Sequence, residues 1–461
     1  MNKREFLAVG GAVPLVLAGC GGNGAGSAPV RLVNASVGYP NLGFMVESTQ
    51  ATSADVAYGH ASPFENVQAG AVGITLTVGG SAATSAQTRT LSKDQRYSLV
   101  AYGFANELKS VLLTESTTTP DAGKANVSVL NSSVDIGAVD VYLSATPNLA
   151  VSTLIASSIT AVSQSGFAPI LAGSYYITVV GANSIAKGIS DVRFQTPVAI
   201  TLTALEILTI ILTPGASGVL ANAILLTQGT ASAADATVSY NNLTARVRAV
   251  TAVQGMAASV VGTTTTTTTS GTTTSQVTLL STNTTPQYSN YFVVNTGTPP
   301  VVTVNGAAVP VLMDVTDATT GVVTPNQPGT LAAGGDYTLM VYLNGSTPTA
   351  KLVEDNNTAP VTSQGVKFRL INLASDNQGL ELSMSVNSIS IASNIPYASA
   401  STYTEISTPQ AANSTAEVFN GATSLISHTQ IMTLPNIFTD IVVSVPNGGT
   451  AQDFFRSASG T

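Results

Sequence analysis

Short runs in which apolar and polar residues alternate recur along the chain, and turn residues separate them. The run Ile74-Thr75-Leu76-Thr77-Val78 alternates strictly and ends at Gly79-Gly80. A period of two turns one face of a strand toward a core and the other toward solvent. Val302-Thr303-Val304 meets Asn305-Gly306, a pair that suits the positive φ angles of a tight hairpin turn. Similar runs occur at residues 126–130, 139–143 and 442–445. The pattern predicts an all-β protein of short strands, which is typical of β-sandwiches.

The most apolar internal stretch, residues 198–213, fits either of two structures. Its apolar character allows a membrane helix, but it is about sixteen residues long, short of a span, Glu206 sits at its centre and threonine recurs through it. Ile200 and Leu202 also alternate with Thr201 and Thr203, as they would in a strand. We predict two buried strands with a turn, or one long bent strand, and keep the membrane helix as the alternative.

The chain also resembles itself in four places. Strand-like segments with a polar or basic residue between apolar ones open near residues 30, 126, 246 and 367. A later shared string contains Tyr97, Tyr175 and Tyr337 in its first three occurrences. The spacings are domain-sized, so we predict independent units arranged like beads on a string. The predicted division is a signal peptide at 1–19, a flexible tether at 20–29, and β-sandwich units at 30–122, 123–235, 236–362 and 363–461.

These strings resemble the bacterial domain-of-unknown-function family 4397. The first unit keeps the family's opening residues, and the second keeps Val139-Asp140-Val141-Tyr142 and the approach Ala172-Gly173-x-Tyr175. The fourth keeps Asn372, Ala374, Ser375 and Asp376, whereas the third is degenerate and the family's Pro-Asp-Ala-Pro turn is missing throughout. The opening residues kept by the first unit are Val30, Arg31, Asn34, Ala35 and Ser36. The resemblance implies tandem immunoglobulin-like or prealbumin-like domains in exported, often lipid-anchored proteins, and it brings no catalytic residues.

The N-terminus predicts export and a lipid anchor. Lys3 and Arg4 precede an apolar stretch that ends in Leu17-Ala18-Gly19-Cys20, and Cys20 is the only cysteine in the chain. The arrangement resembles a bacterial lipobox, in which the cysteine is acylated, with palmitate for example, and becomes the mature N-terminus. Gly21 follows where aspartate would signal inner-membrane retention, so the resemblance favours the outer membrane of the cell envelope. General export is favoured over twin-arginine export, and the other alternative is an uncleaved signal with a free thiol.

The amino-acid composition argues against two classes of binding partner. Only 9% of residues are charged, against roughly 25% in average soluble proteins. The net charge of −8 and the 16 scattered Lys and Arg residues argue against nucleic-acid binding and against docking on anionic lipid. The threonine-rich tract at 263–275 predicts a flexible surface loop, with O-glycosylation as an alternative. Threonine is β-branched, so the tract is also able to extend a strand.

Candidate chemistry is sparse, and we expect no catalytic, cofactor-binding or metal residues. His60 and His428 are the only histidines, and neither lies near a nucleophile motif. Among roles for the acidic residues, calcium binding is favoured over glycoside hydrolysis, with loop ligands at Asp314 and Asp317 or at 354–356. No EF-hand spacing is present, and acidic turn residues exposed to solvent are the commoner explanation. We expect the repeated tyrosines to pack in a core or at a sheet edge rather than form a binding surface.

The sequence therefore predicts a lipid-anchored cell-envelope protein with a structural, adhesive or protein/glycan-interaction role. Besides the membrane, which it would meet through Cys20, its partner would be a protein or a polysaccharide. The alternative is a periplasmic substrate-binding or accessory module, which requires a concave site with convergent polar groups. A glycan hydrolase using scattered carboxylates is the remote alternative.

Overall fold

The computed structural model describes most of the chain as β-structure. The described residues are 26–182, 192–229, 236–253, 255–268, 271–284, 286–316, 320, 322–361, 365–374, 381–406, 414–431, 437–444 and 452–459. Apart from one 3-10 turn at Leu149–Val151, their regular elements are all strands. The all-β, sandwich-type fold predicted from the alternation is confirmed. Within these residues no helix is long and apolar enough to cross a membrane.

The described strands form eight sheets, which pair off along the chain into four units. The strands of unit 1 are β1 (Ser27–Asn34), β2 (Asn41–Val46), β3 (Thr49–Gln50), β4 (Val56–Ala57), β5 (Glu65–Gln68), β6 (Gly70–Val78), β7 (Ser81–Ala82), β8 (Gln87–Leu91), β9 (Tyr97–Tyr102) and β10 (Lys109–Thr114). A sheet ordered β10-β9-β1-β5 faces a sheet built on β3-β2-β6-β7. The inward side chains of both sheets form one apolar cluster that includes Leu32, Phe44, Leu76 and Leu99.

Unit 2 repeats this two-sheet arrangement around its own apolar cluster. Its strands are β11 (Lys124–Asn131), β12 (Val139–Ser144), β13 (Thr153–Ile159), β14 (Ser163–Gln164), β15 (Ala168–Leu171), β16 (Gly173–Gly181), β17 (Val192–Gln195), β18 (Ile200–Leu202), β19 (Ile207–Pro214), β20 (Ala221–Thr227) and β21 (Thr237–Tyr240). The apolar stretch at 198–213 forms β18, a turn and all but the last residue of β19, which confirms the prediction of two strands with a turn.

Units 3 and 4 follow with a core each. Unit 3 contains β22 (Thr244–Thr251), β23 (Ala258–Thr268), β24 (Gly271–Asn283), β25 (Gln287–Tyr288), β26 (Phe292–Asn295), β27 (Val301–Val304), β28 (Ala307–Val309), β29 (Val311–Thr316), β30 (Val323–Pro328), β31 (Asp336–Asn344) and β32 (Thr347–Asp355). Unit 4 contains β33 (Val366–Asn372), β34 (Leu382–Val386), β35 (Ile389–Ile395), β36 (Ser399–Ala400), β37 (Thr404–Ile406), β38 (Ser414–Asn420), β39 (Thr423–Ile431), β40 (Ile437–Ser444) and β41 (Gln452–Ser459).

One parallel strand pair is common to all four units. The first strand of each unit pairs in parallel with a late strand, in the pairs β1–β9, β11–β19, β22–β31 and β33–β40. The register is the same in each, because Val30 lies opposite Tyr97, Val127 opposite Leu208 and Val247 opposite Tyr337. Parallel strands require a long connection between them, and here that connection includes the opposite sheet. The shared register defines corresponding positions in the four units.

Three expectations about local boundaries are corrected. The tether expected at 20–29 ends earlier, because Ser27 pairs with Gln68 in β1 and Ala28 is fully buried. The boundary expected at 235 is also displaced, because β21 pairs with β20 and so belongs to unit 2. The loop expected at 263–275 is wrong for its described residues, because β23 and β24 pair there as antiparallel strands. β-branched threonine fits the pleat of such strands.

The predicted hairpin after Val304 is confirmed. β27 pairs with β28, and the two residues between them, Asn305 and Gly306, have φ angles of 50° and 79°. Both angles are positive, as a type I′ turn requires, and its twist matches that of the flanking strands.

The units are not independent beads. A further apolar cluster joins unit 1 to unit 2 and includes Val33, Val100, Leu130 and Ile211. A second cluster joins unit 3 to unit 4 through residues such as Val250 and Met340 of unit 3. The strands of the parallel pair are buried on both faces and therefore read as nearly continuous apolar runs. Their second apolar face is covered by the neighbouring unit, which is why the expectation of separate beads is wrong for these two pairs.

Candidate functional site

The residues singled out from the sequence do not come together in one place. Cys20 lies outside the described residues. His60 is exposed in the loop after β4, beside a depression of about 220 Å³ that Glu65 also lines. His428 lies in β39 of unit 4, opposite Ala416. The two histidines are therefore on different units.

Asp314, a candidate calcium ligand, already has a cationic partner. Lys351 Nζ lies 2.8 Å from Asp314 Oδ2, and the backbone N–H of Asn326 donates to Oδ1 at 3.1 Å. Burial acts to raise the pKa of Asp314, but these hydrogen bonds and the charge of Lys351 outweigh it and hold the pKa below the usual 3.8. Its proposed partner Asp317 lies outside the described residues.

The other calcium candidates, at 354–356, do not converge. Successive side chains of a strand point to opposite faces, so Glu354 and Asn356 are exposed whereas Asp355 is fully buried. The Asp355 carboxylate instead contacts two arginines, Arg248 and Arg369. In the described part of the chain, no group of three or more His, Cys, Asp or Glu side chains is arranged to hold a metal ion.

The repeated tyrosines pack in the cores, as predicted. Tyr97 and Tyr337 are 5% and 3% exposed and belong to the clusters of units 1 and 3. The Tyr97 hydroxyl accepts the backbone N–H of Ser92, and the Tyr337 hydroxyl accepts that of Ala332, each at 2.9 Å. Tyr175 packs against the core of unit 2. These hydroxyls tie the preceding turn to the strand.

A buried ion pair lies where unit 1 meets unit 2. Arg31 and Glu115 are 1% and 2% exposed, and one guanidinium nitrogen of Arg31 lies 2.5 Å from Glu115 Oε1. Arg31 Nε also donates to Ser98 Oγ at 3.0 Å, and Ser98 Oγ donates to Glu115 Oε1 at 2.7 Å. Burial lowers the pKa of Arg31, and the charge of Glu115 opposes that effect. The pair is therefore enclosed and internally hydrogen-bonded.

Neutral backbone groups of unit 2 form further hydrogen bonds with both members of this ion pair. The carbonyl of Thr227 accepts from Arg31 at 3.1 Å, and the backbone N–H of Gly229 donates to Glu115 Oε2 at 3.1 Å. Facing it are Ser128, Thr209 and Gln228 of unit 2, whose side chains hydrogen-bond to one another. Ser128 and Thr209 correspond in register to Arg31 and Ser98 of unit 1. The two units thus present the same face to each other, one with a charge pair and the other with hydroxyl and amide groups.

Unit 3 meets unit 4 through a related contact with two arginines. Asp355 Oδ1 lies 2.7 Å from a guanidinium nitrogen of Arg369 in unit 4, and Asp355 Oδ2 lies 3.6 Å from Arg248 Nε in unit 3. Thr338 Oγ1 accepts from both arginines and donates to Asp355. Arg248 and Arg369 occupy the register position of Arg31 in their own units. All three of these charged side chains are at most 3% exposed.

An aromatic ring covers the arginine in three of the units. The Arg31 guanidinium lies 4.7 Å from the ring centre of Phe64, Arg248 lies 4.8 Å from that of Tyr291, and Arg369 lies 4.6 Å from that of Tyr403. Such cation–π contacts stabilise a desolvated arginine. They were not predicted from the sequence.

In each of the four units a serine two residues before an aromatic residue hydrogen-bonds to backbone groups. Ser62 Oγ accepts the N–H of Leu32 and donates to the carbonyl of Pro63. Ser165, Ser289 and Ser401 form the same two hydrogen bonds in units 2, 3 and 4. The signal in the sequence is the tripeptide Ser-x-aromatic, at 62–64, 165–167, 289–291 and 401–403. A tripeptide of common residues shows no periodicity, so the sequence alone does not distinguish it from chance.

The asparagine of the family motif has a structural role. Asn34 Nδ2 donates to the carbonyls of Tyr39 and Val56, and Asn34 Oδ1 accepts the N–H of Ser36. Asn131 and Asn372 cap the ends of β11 and β33 in a similar way. The amide satisfies backbone groups where the chain leaves the first strand for the opposite sheet, which explains the motif without a ligand.

A groove of about 550 Å³ is the larger concave feature of unit 1. One wall is the β9–β10 edge of the first sheet, with Tyr102 and Lys109. The opposite wall is the segment after β7 together with β8, which contributes Arg89. Burial raises the pKa of Tyr102, although the charge of Arg89 opposes that effect, so its hydroxyl keeps its proton at neutral pH. The sequence did not predict this groove because its walls come from different sheets.

The comparison with protein families agrees with the resemblance noted in the sequence. Residues 28–142 match the family model described as Domain of unknown function (DUF4397). This span begins in β1 and ends in β12, so it covers unit 1 and the first two strands of unit 2. It includes both Val30-Arg31 and Val139-Asp140-Val141-Tyr142, and the resemblance is confirmed for this part of the chain. No curated protein matches the chain.

Proposed function

We propose that this chain is a lipid-anchored protein of the bacterial cell envelope with a structural or adhesive role and no catalysis. The observation that supports this role is the pair of buried charged contacts, which join unit 1 to unit 2 and unit 3 to unit 4. A contact with an enclosed ion pair and an apolar surround holds two sandwiches in one fixed orientation, unlike a flexible linker. Stiff modules of this kind suit the presentation of loops and sheet faces to a partner outside the cell membrane.

The anchor is proposed at Cys20, with residues 1–19 removed and the outer membrane as the location. Units 2 to 4 are proposed as further members of the family that matches residues 28–142. Support comes from the parallel strand pair with its shared register and from the serine that bonds each first strand. An exported protein with one cysteine needs no disulfide here, because each unit encloses its own core.

The anchor is tested by expressing the full chain and its Cys20→Ala variant in a Gram-negative host. We expect the unaltered chain to enter the detergent phase of a Triton X-114 extract and to take up labelled palmitate. The variant should remain in the aqueous phase and stay unlabelled, because the acylated sulfur is gone. Protease treatment of intact cells then separates surface display from a periplasmic orientation. An unlabelled, soluble parent chain would refute the anchor.

A second candidate function is a periplasmic binding or accessory module. The groove of unit 1 favours it, because it is concave and brings several polar side chains together. No aspartate or glutamate lies among the residues lining that groove, so it offers no support for a glycan hydrolase.

A further inference from the structure

The groove of unit 1 lies at the open side of the sandwich. β10 is the edge strand of its sheet, and Lys109 in β10 lies directly opposite Tyr102 in β9. Arg89 in β8, from the other sheet, donates to the carbonyl of Ser110 at 2.8 Å and to its hydroxyl at 3.1 Å. This bridge closes the floor between the two sheets, and the side chains above it remain accessible.

The lining is cationic in a chain that is acidic overall. The net charge is −8, yet the residues lining the groove include Arg89 and Lys109 and no carboxylate. Lys109 is exposed, and its ammonium forms no ion pair or hydrogen bond among the described residues. Two cations without a counter-charge in one concave surface attract an anion more strongly than the scattered charges elsewhere.

The groove also has unused hydrogen-bonding capacity. Arg89 Nε is buried and has no hydrogen-bond partner among the described residues. A buried donor without a partner is costly, so such groups mark places where a water or a ligand is accommodated. Tyr102 lines the same groove and interacts electrostatically with Arg89, and its hydroxyl is a further donor.

The other lining groups match a sugar. Tyr39 and Tyr102 offer aromatic surface, and Gln87, Asn106 and Thr84 offer amide and hydroxyl groups that both donate and accept. The volume of about 550 Å³ falls within the roughly 300–1,000 Å³ of small-ligand sites. This combination of cations, polar groups and two rings fits a hydroxyl-rich anion better than an apolar acid.

Unit 2 lacks the arginine of this site. In the strand pair β6–β8 Arg89 lies two residues before Leu91, which pairs with Gly70. In the corresponding pair β16–β18 of unit 2 Ile200 stands two residues before Leu202, which pairs with Gly173. An apolar residue therefore replaces the arginine in unit 2.

We propose that this groove binds an acidic saccharide, with Arg89 and Lys109 contacting a sugar carboxylate and the tyrosines contacting the rings. The inference rests on the second candidate function, a binding or accessory module, for which it names the class of partner. Binding at this groove does not depend on the lipid anchor, so the two are tested separately.

The test is calorimetric titration of the full chain carrying Cys20→Ser, which keeps it free of lipid, with trigalacturonate at low ionic strength. Saturable binding is expected, with neutral galactotriose weaker by about tenfold or more, because a desolvated charge contact is absent. Lys109→Met should weaken trigalacturonate binding by about tenfold, since this exposed lysine has no structural partner. Arg89→Met should abolish it, and circular dichroism shows whether that variant folds. Lys93→Met, on an exposed turn of the same unit, is the matched control.

Three results would overturn the inference. The first is an absence of trigalacturonate binding, and the second is equal binding by the parent chain, Lys109→Met and Lys93→Met. The third is displacement by acetate or inorganic phosphate at the concentration of the saccharide, which would identify a general anion site. None of these outcomes affects palmitate labelling at Cys20, so failure of the groove and failure of the anchor are distinguishable.

Discussion

Removing one member of the Arg31–Glu115 pair should loosen unit 1 and unit 2 together. In the variant Arg31→Met the Glu115 carboxylate stays buried but loses its cation. It retains only the hydrogen bonds from Ser98 and from the N–H of Gly229. Because the pair lies at the contact between units, the lost free energy should appear in both of them rather than in unit 1 alone.

The magnitude follows from the burial of the pair. Arg31 and Glu115 are 1% and 2% exposed, so solvent cannot compensate the remaining charge. Removing one partner of such a pair costs about 3–5 kcal/mol. The double variant Arg31→Met, Glu115→Gln removes both charges and keeps an acceptor for Gly229. It should recover most of that loss, because an apolar or neutral replacement of a buried pair is often nearly neutral.

The assay is native-state hydrogen exchange, read by mass spectrometry on the full chain carrying Cys20→Ser. A loss of about 3–5 kcal/mol corresponds to exchange faster by roughly a hundredfold to a few thousandfold in peptides of β1, β9, β11 and β19. Lys109→Met is the control, because an exposed lysine without a partner should change stability by only about 0.5 kcal/mol.

Two results would refute this reasoning. Faster exchange confined to β1 and β9 would mean that the contact does not couple the units. A double variant as unstable as Arg31→Met would mean that lost packing, rather than an unpaired charge, explains the cost.

The other predictions concern single contacts. Ser62→Ala should lower the free energy of unfolding of unit 1 by about 1–3 kcal/mol, measured by urea denaturation, because the buried N–H of Leu32 loses its acceptor. Gly218→Ala should cost about 1–3 kcal/mol, since Gly218 has φ +101° and an added Cβ would lie 2.8 Å from the carbonyl oxygen of Asn357. Asp314→Asn should make the free energy of unfolding fall less steeply as the pH is lowered into the acid range. The folded-state pKa of Asp314 is lowered, so its contribution is present above pH 3.8 and is lost as the pH falls through the folded value.

Each of these has a control. Ser53→Ala, an exposed serine in a bend of the same unit, should leave the stability of unit 1 unchanged, and an equal loss would contradict the role of Ser62. Gly80 also has a positive φ, +77°, but a Cβ added there would have no atom within 4 Å. Gly80→Ala therefore measures the backbone strain alone, without the steric clash expected at Gly218. For Asp314, a profile unchanged by the asparagine variant between about pH 5 and pH 2 would contradict the shift.

The same register position of the first strand carries different side chains in the four units. The position of Arg31 is serine in unit 2 and arginine in units 3 and 4, and all of them face a neighbouring unit. At the contact between units 1 and 2, one arginine pairs with one carboxylate. At the contact between units 3 and 4, Asp355 pairs with two arginines. Each of these buried arginines has a carboxylate oxygen within 3.6 Å, because an unpaired charge at a buried position is costly.

The sequence by itself determined the local structure. Alternation of apolar and polar residues specifies strands, Asn305-Gly306 specifies a hairpin turn, and the apolar residues around Glu206 form strands on either side of it. These signals are local, since side-chain direction in a strand repeats every two residues and turn residues act on their own φ angles. The family resemblance depended on the same short strings.

Only the tertiary structure decided which surfaces meet. Arg31 and the carbonyl of Thr227 are 196 residues apart in sequence, and Arg89 reaches Ser110 from the opposite sheet. An ion pair or a groove requires only that its members meet in space, and periodicity carries no information about that meeting. The second apolar face of the parallel strands was visible in Ile210-Ile211-Leu212, but its partner, the neighbouring unit, became known only once the sheets were placed.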